Sequence, residues 1–319
     1  MNNLNFNNIF DYCVDTTTEE NVYYKITNTK SIHISILCIN QNKQILKYTN
    51  EWLSLIKTYY PSNKIIYNNL VTEYNNIIKQ DLFNCKFINE QVVLFITSFS
   101  KGTVHGYSGL WYMLYIYMQK YINYKILIYE NSQQGILDII YHIFKKLYGD
   151  NYLDYIIILS GDILYKIKNI IIIPNKYHII KYELAILIDY ILYDYIIINT
   201  HICSHNKIFI TNNTKLDNNI VVNFCIKNNY ILIEPNKFNE IDFIKIINSC
   251  EIFIVTWGTS FLKNYIYIGD DCKYIDIYII ENTEYECQYN NSYKTNTLIK
   301  NYKKAYFNYI KIDNMLKIL

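Results

Sequence analysis

No arginine occurs among the 319 residues, so the basic side chains, 30 in all, are lysines. Its absence removes the planar guanidinium fork that grips phosphates and guanine edges bidentately, and with it the commonest contacts of nucleic-acid recognition. An excess of charge is missing too. The formal net charge of +2 provides no strongly basic face, and Lys303 with Lys304, the nearest approach to a cluster, reads as a solvated face. No nucleic-acid partner is expected. Cysteine pairs are also lacking: the 8 cysteines, at positions 13, 38, 85, 203, 225, 250, 272 and 287, contain no C-x-x-C and no recurring spacing. Such a scatter argues against a zinc ribbon or a disulfide scaffold and predicts buried free thiols in a reducing compartment. No apolar run approaches the roughly 20 residues that span a bilayer, and the longest candidate, 186–198, is broken by Asp189 and Asp194. The opening residues 1–8 have neither a basic nor an apolar stretch, unlike a secretory signal. A cytoplasmic chain with no transmembrane segment is the expectation.

What is abundant is Ile, Asn, Lys and Tyr, with 36 Tyr against only 3 Pro. This bias matches the codon pressure of an AT-rich genome, such as that of a large DNA virus or a parasite, so a single Asn, Lys or Tyr carries little functional information. A chain of 319 residues is near the size at which one core stops growing, and two domains are expected. The proposed division is a polar, poorly specified lead-in over 1–30, an α/β domain over 31–175 and a second α/β domain with a C-terminal helix over 176–319.

Periodicity supports this layering. Residues 31–39 alternate Ile32, Ile34 and Ile36 with His33 and Ser35, as a half-buried strand does. The run Val92–Val93–Leu94–Phe95–Ile96 is continuously apolar, as in a parallel sheet covered on both faces. Further strands are expected over 124–129, 155–159 and 170–173, and helices over 51–59, 68–79, 110–121 and 133–148, with a turn at Ser160–Gly161–Asp162 that either faces a ligand or simply reverses the chain. In the second half, 177–195 reads as a helix, 207–212, 219–224, 230–233 and 250–256 as strands, 238–249 as a helix and 273–280 as a last strand. Tyr302, Tyr306, Tyr309 and Ile310 form a helix-like stripe, predicting a C-terminal helix within 298–319. Strands alternating with helices mean βαβ units and mostly parallel sheets.

Two stretches carry candidate chemistry. The apolar run ending at Thr256 is followed by Trp257, Gly258, Thr259 and Ser260 and then by a new amphipathic segment. Strand, tight turn and helix in that order make an anion site, because Gly258 accepts unusual backbone angles and the first N–H groups of a helix point outward unpaired. The same residues also suit an ordinary Ser/Thr-capped connection. The second stretch, 98–109, has three Gly around His105 after a buried strand, where α/β sheets place ligands. A neutral imidazole there suits a base, or merely a loop cap. His201 and His205 are four apart but lack the neighbouring Glu of a zinc helix, and no metal is expected.

Taken with Glu234–Pro235 leading into the 238–249 helix, the Gly258–Thr259–Ser260–Phe261–Leu262–Lys263–Asn264 turn resembles the C-terminal part of family 61 glycosyltransferases, also described as capsular polysaccharide biosynthesis proteins. The resemblance covers about the last two thirds of the chain. It implies two Rossmann-like domains in the GT-B arrangement, 31–175 as the acceptor side and 176–319 as the nucleotide-sugar-binding side, and sugar transfer from a nucleotide sugar, such as a UDP-sugar, to a glycan or glycoprotein hydroxyl, inverting and without a metal or resident cofactor. Gly258, Thr259 and Ser260 would hold the diphosphate, Glu234 the ribose, and His105 would act as base, with Asn264 and Trp257 supporting the loop. Trp257 stands where the family often has His. The family's strand ending in Arg matches Lys207–Ile208–Phe209–Ile210–Thr211–Asn212, so Asn212 replaces that Arg. A neutral contact in place of a charged one loses about 1–2 kcal/mol of phosphate binding, which Lys207 or Lys215 would offset as point charges. The alternative is a catalytically inactive relative kept as a binding or scaffold protein. A plain nucleotide-binding α/β protein of other chemistry is a third reading.

Overall fold

The structure is a computed structural model that describes residues 17–27, 35–40, 42, 72, 75–76, 85–95, 110–111, 113–173, 207–210, 219–256, 274–279 and 306–311. The chain divides into two compact units, Met1–His178 and Ile179–Leu319. The sequence-based division falls at 175/176. The architecture is α/β, with a six-stranded sheet in the first unit and a five-stranded sheet in the second.

The six-stranded sheet is built from β1 (Thr17–Thr27), β2 (Ser35–Ile39), β3 (Lys86–Leu94), β4 (Lys125–Tyr129), β5 (Ile156–Leu159) and β6 (Leu164–Ile172), in the order β2-β1-β6-β3-β4-β5. β6, β3, β4 and β5 run parallel, while β1 runs antiparallel to both β6 and β2. β1 corrects the expected lead-in over 1–30. Its Val22, Tyr24 and Ile26 recur every second residue and are fully buried, an alternation that outweighs the polar Asn and Thr content around it.

Both faces of the parallel strands are covered. Val92, Leu94, Leu127, Tyr129, Ile170 and Ile172 join β1 in one apolar cluster. The intervening Val93, Phe95, Ile126 and Ile128 are buried as well. Each such side chain removed from water contributes about 1.5–3 kcal/mol, which is why these strands read as continuous apolar runs. The chain is helical at 110, 111 and 113–116, passes through a π turn at Tyr117–Tyr121, and after β4 forms α1 (Gln134–Tyr148). Ile136, Ile140, Ile143 and Phe144 recur at helical spacing on the buried face of α1. Phe95, Tyr117 and Phe144 meet as an aromatic triad with ring centroids 5.2 to 6.4 Å apart, tying β3 to both helical segments.

At the amino end of β4 the Tyr117 hydroxyl donates to the Tyr124 carbonyl at 2.7 Å, Tyr148 donates to the Ile122 carbonyl, and the two hydroxyls lie 2.6 Å apart. Tyr148 also stacks on Tyr155 at 3.8 Å. Burial raises the Tyr117 phenol far above the usual tyrosine range, reinforced by its bond to Tyr148, and burial raises Tyr148 as well. The folded chain therefore keeps protons that the unfolded chain releases above pH ~10. The stability these groups contribute is complete below that pH and is lost as the pH rises beyond it. Urea midpoints measured from pH 9 to 11 should fall, and Tyr117→Phe should flatten the fall by up to one proton. An identical slope in that variant would remove Tyr117 from the effect.

In the second unit, β7 (Lys207–Ile210), β8 (Ile231–Ile233), β9 (Ile252–Thr256), β10 (Tyr274–Ile279) and β11 (Tyr306–Lys311) all run parallel, in the order β11-β10-β9-β7-β8. Two expectations are overturned here. Residues 219–224, read as a strand, lie in α2 (Asn219–Lys227). The β-branched run Ile220–Val221–Val222 suits a strand by propensity, but burial of Phe224 and Cys225 beside exposed Asn223, Ile226 and Lys227 fits one face of a helix. The helix expected in 298–319 is replaced at 306–311 by β11, whose Tyr-Phe-Asn-Tyr-Ile-Lys sequence is rich in aromatic and β-branched strand formers and pairs in register with β10.

α3 (Glu240–Asn248) begins where expected. Asn239 caps it by accepting from the Asp242 N–H at 2.8 Å, and Ile241, Ile244 and Ile247 form its buried stripe. Hydrogen bonding to Lys245 is the main cause that lowers the Asp242 carboxyl below its usual range. Asn239→Ala should cost about 1 kcal/mol by urea denaturation, and an unchanged midpoint would show that the cap contributes nothing. Cys38, Cys85, Cys225 and Cys250 are free thiols. Among the described residues no helix is long and apolar enough to cross a membrane.

Candidate functional site

The candidate residues of the second unit follow, in the sequence, the carboxyl ends of strands in the five-stranded sheet. Ile210 of β7 pairs with Ile233 of β8 on one side and with Val255 of β9 on the other, so these three neighbouring strands finish level. The next residues in the sequence are Thr211–Asn212, Glu234–Pro235 and, after Thr256, Trp257–Gly258. Among the described strands, numbered within this unit from β7 as first, the order is 2-1-3-4-5. The first and third strands are then neighbours whose following connections lead to opposite sides, a switch point where open parallel sheets hold ligands beyond their carboxyl ends.

Of the sequence-predicted site residues, Glu234 is described. It ends β8 at φ −96° and ψ 108°, and opens a short 3-10 turn over Pro235–Lys237. Proline at the first position of that turn supplies a fixed φ and gives up an N–H that the turn does not need. Lys237 Nζ donates to Glu234 Oε1 at 2.6 Å, with Glu234 one-third exposed and Lys237 64% exposed. The pair sets the carboxylate at the strand end without burying it, and its direct contribution to stability is about 0–1 kcal/mol. His105, Asn212, Lys215, Trp257, Gly258, Thr259, Ser260 and Asn264 lie outside the described residues, as do His201 and His205.

Lys207, one of the two lysines named as a point charge, is also described. It begins β7, at the amino edge of a parallel sheet, with its ammonium 5.7 Å from the centre of the Tyr230 ring. Ile210 closes the strand at its other end.

The first unit has a polar constellation at its own carboxyl edge that sequence reasoning located only in part. β4 and β5 end side by side, with Tyr129 opposite Leu159. Glu130, the next residue, accepts from Ser160 Oγ at 2.7 Å and from the Gly161 N–H at 3.0 Å, while its own N–H donates to the Leu159 carbonyl at 3.0 Å. The Ser160 N–H in turn donates to the buried Tyr165 hydroxyl at 2.9 Å. Asp162 stands at φ +63° with its N–H bound to the Ile26 carbonyl at 2.7 Å, which ties the turn to β1. The turn at 160–162 was legible from Gly161. Glu130 was passed over, although a carboxylate directly after a continuously apolar strand was there to be read. Among the described residues no three His, Cys, Asp or Glu side chains come together as a metal site.

No known family model matches the chain, and no curated protein matches it.

Proposed function

We propose that the second unit binds a nucleoside diphosphate at the carboxyl edge of β8, β7 and β9, and that the protein transfers a sugar from a nucleotide-sugar donor to a glycan or protein hydroxyl. The observation that carries this reading is the level ending of three adjacent parallel strands, which brings the chain positions before Asn212, Glu234 and Gly258 to one sheet edge. In this reading both units are Rossmann-like. The Gly258–Thr259–Ser260 amides take the pyrophosphate, and Glu234 accepts the ribose hydroxyls. Charge growing on the departing diphosphate is met by fixed N–H dipoles rather than by a metal. Asn212 and Lys215 flank the phosphates. Trp257 and Asn264 support the loop. His105 is assigned the base's role on its sequence context.

The inactive-relative reading rests on the sequence: Asn212 stands where the family has Arg, and Trp257 where it often has His. Two measurements separate the readings. UDP at 100 times its dissociation constant should raise stability by about 2.7 kcal/mol, and a panel of UDP-sugars should include one hydrolysed by the parent but not by His105→Ala. Binding without hydrolysis supports the inactive relative. No UDP-dependent shift at millimolar nucleotide contradicts the transferase reading and favours a relative kept for glycan binding or as a scaffold.

A further inference from the structure

The first unit, to which the proposed reaction has so far assigned only His105, carries a carboxylate at its own strand ends. Glu130 is exposed and yet held: Ser160 Oγ takes one carboxylate oxygen and the Gly161 N–H the other. An ionised carboxylate has about four acceptor positions. Two donors fix its plane, and its remaining acceptor positions lie at the carboxyl edge of β4 and β5, on the side of a parallel sheet where α/β folds take ligands.

The open positions are acceptors on a full negative charge. A ligand that suits them brings hydroxyl donors and no anion, which excludes a phosphate and fits a neutral polyol. We infer that Glu130 binds hydroxyl groups of the sugar acceptor at the carboxyl edge of the first unit. The identity of the ligand as a sugar rests on the transferase reading. The hydroxyl-binding carboxylate rests on the geometry alone.

Glu130→Gln tests this without dismantling the turn, because an amide can still accept from Gly161 and donate to Ser160, whereas it removes the charge. Ser160→Ala does the converse. The probes are p-nitrophenyl β-glycosides of glucose, galactose, xylose and N-acetylglucosamine, titrated against the full chain by ligand-observed magnetic resonance, with UDP binding measured in parallel. At least one glycoside should bind the parent, and Glu130→Gln should weaken it tenfold or more while its melting temperature and UDP affinity stay at parent values. Ser160→Ala should lower the melting temperature and keep glycoside binding within about threefold. If no glycoside binds the parent, or if Glu130→Gln binds as the parent does, Glu130 is a turn staple and the inference falls. UDP binding would then survive independently. Loss of UDP binding in the parent would strike the transferase reading instead.

Discussion

Glu234→Gln is expected to weaken UDP binding by about ten- to a hundredfold, the effect of losing a charged acceptor to a ribose hydroxyl. A second ligand sharpens the result. In the parent chain, 2′-deoxyuridine diphosphate should bind less tightly than UDP, and in the variant the two should bind alike, because the group that distinguishes them has gone. Stability should hardly move. The ion pair lost with Lys237 is largely exposed, and such pairs contribute about 0–1 kcal/mol. Calorimetric titration of both nucleotides against parent and variant decides the matter. Equal UDP affinity in the two proteins would remove Glu234 from the site.

Phe209→Ala should have the largest effect on stability. Phe209 is fully buried in the middle of β7, which pairs on both sides with β8 and β9. Truncating a core Phe costs about 3–5 kcal/mol, a large share of the roughly 5–15 kcal/mol that holds a domain together. The urea midpoint should fall with little change in slope, since the surface exposed on unfolding is nearly the same. Ile231→Ala, at a side chain 39% exposed in β8, is the control and should stay within about 0.5 kcal/mol of the parent. A Phe209 variant as stable as that control would contradict the packing described for β7. Nucleotide binding should weaken along with β7, because the three strand ends hold their level through its pairing.

The extent to which the sequence discloses this fold depends on how burial is shared between faces. β3 and β4 are legible because both faces are covered and every residue of Val92–Val93–Leu94 or Ile126–Leu127–Ile128 is apolar. α1 is legible because its apolar positions recur at helical spacing over 15 residues. β1 is hidden by its composition: Glu19, Glu20 and Asn21 precede Val22, and the alternation emerges only over Val22, Tyr24 and Ile26. α2 and β11 fail for opposite reasons. Short segments rich in Ile, Val and Tyr satisfy either period over six to nine residues, and tertiary pairing chooses between them.

The site divides in the same way. Glu234 is legible because a carboxylate and Pro follow an apolar run, and the 3-10 turn at Pro235–Lys237 bears out that local geometry. The register was not legible: only the pairing of β7 with β8 and β9 sets Ile210 level with Ile233 and Val255. The bond from Ser160 to Glu130 spans 30 residues, and no local pattern announces a partner that distant.

Hydrogen exchange of the full chain with and without saturating UDP tests the central claim most directly. Protection should rise in peptides covering 211–218, 234–239 and 257–264, the segments that follow β7, β8 and β9, and should be unchanged in those covering 228–230 at the amino end of β8. Protection confined to other segments, or none at saturating nucleotide, would contradict a nucleoside diphosphate at that edge.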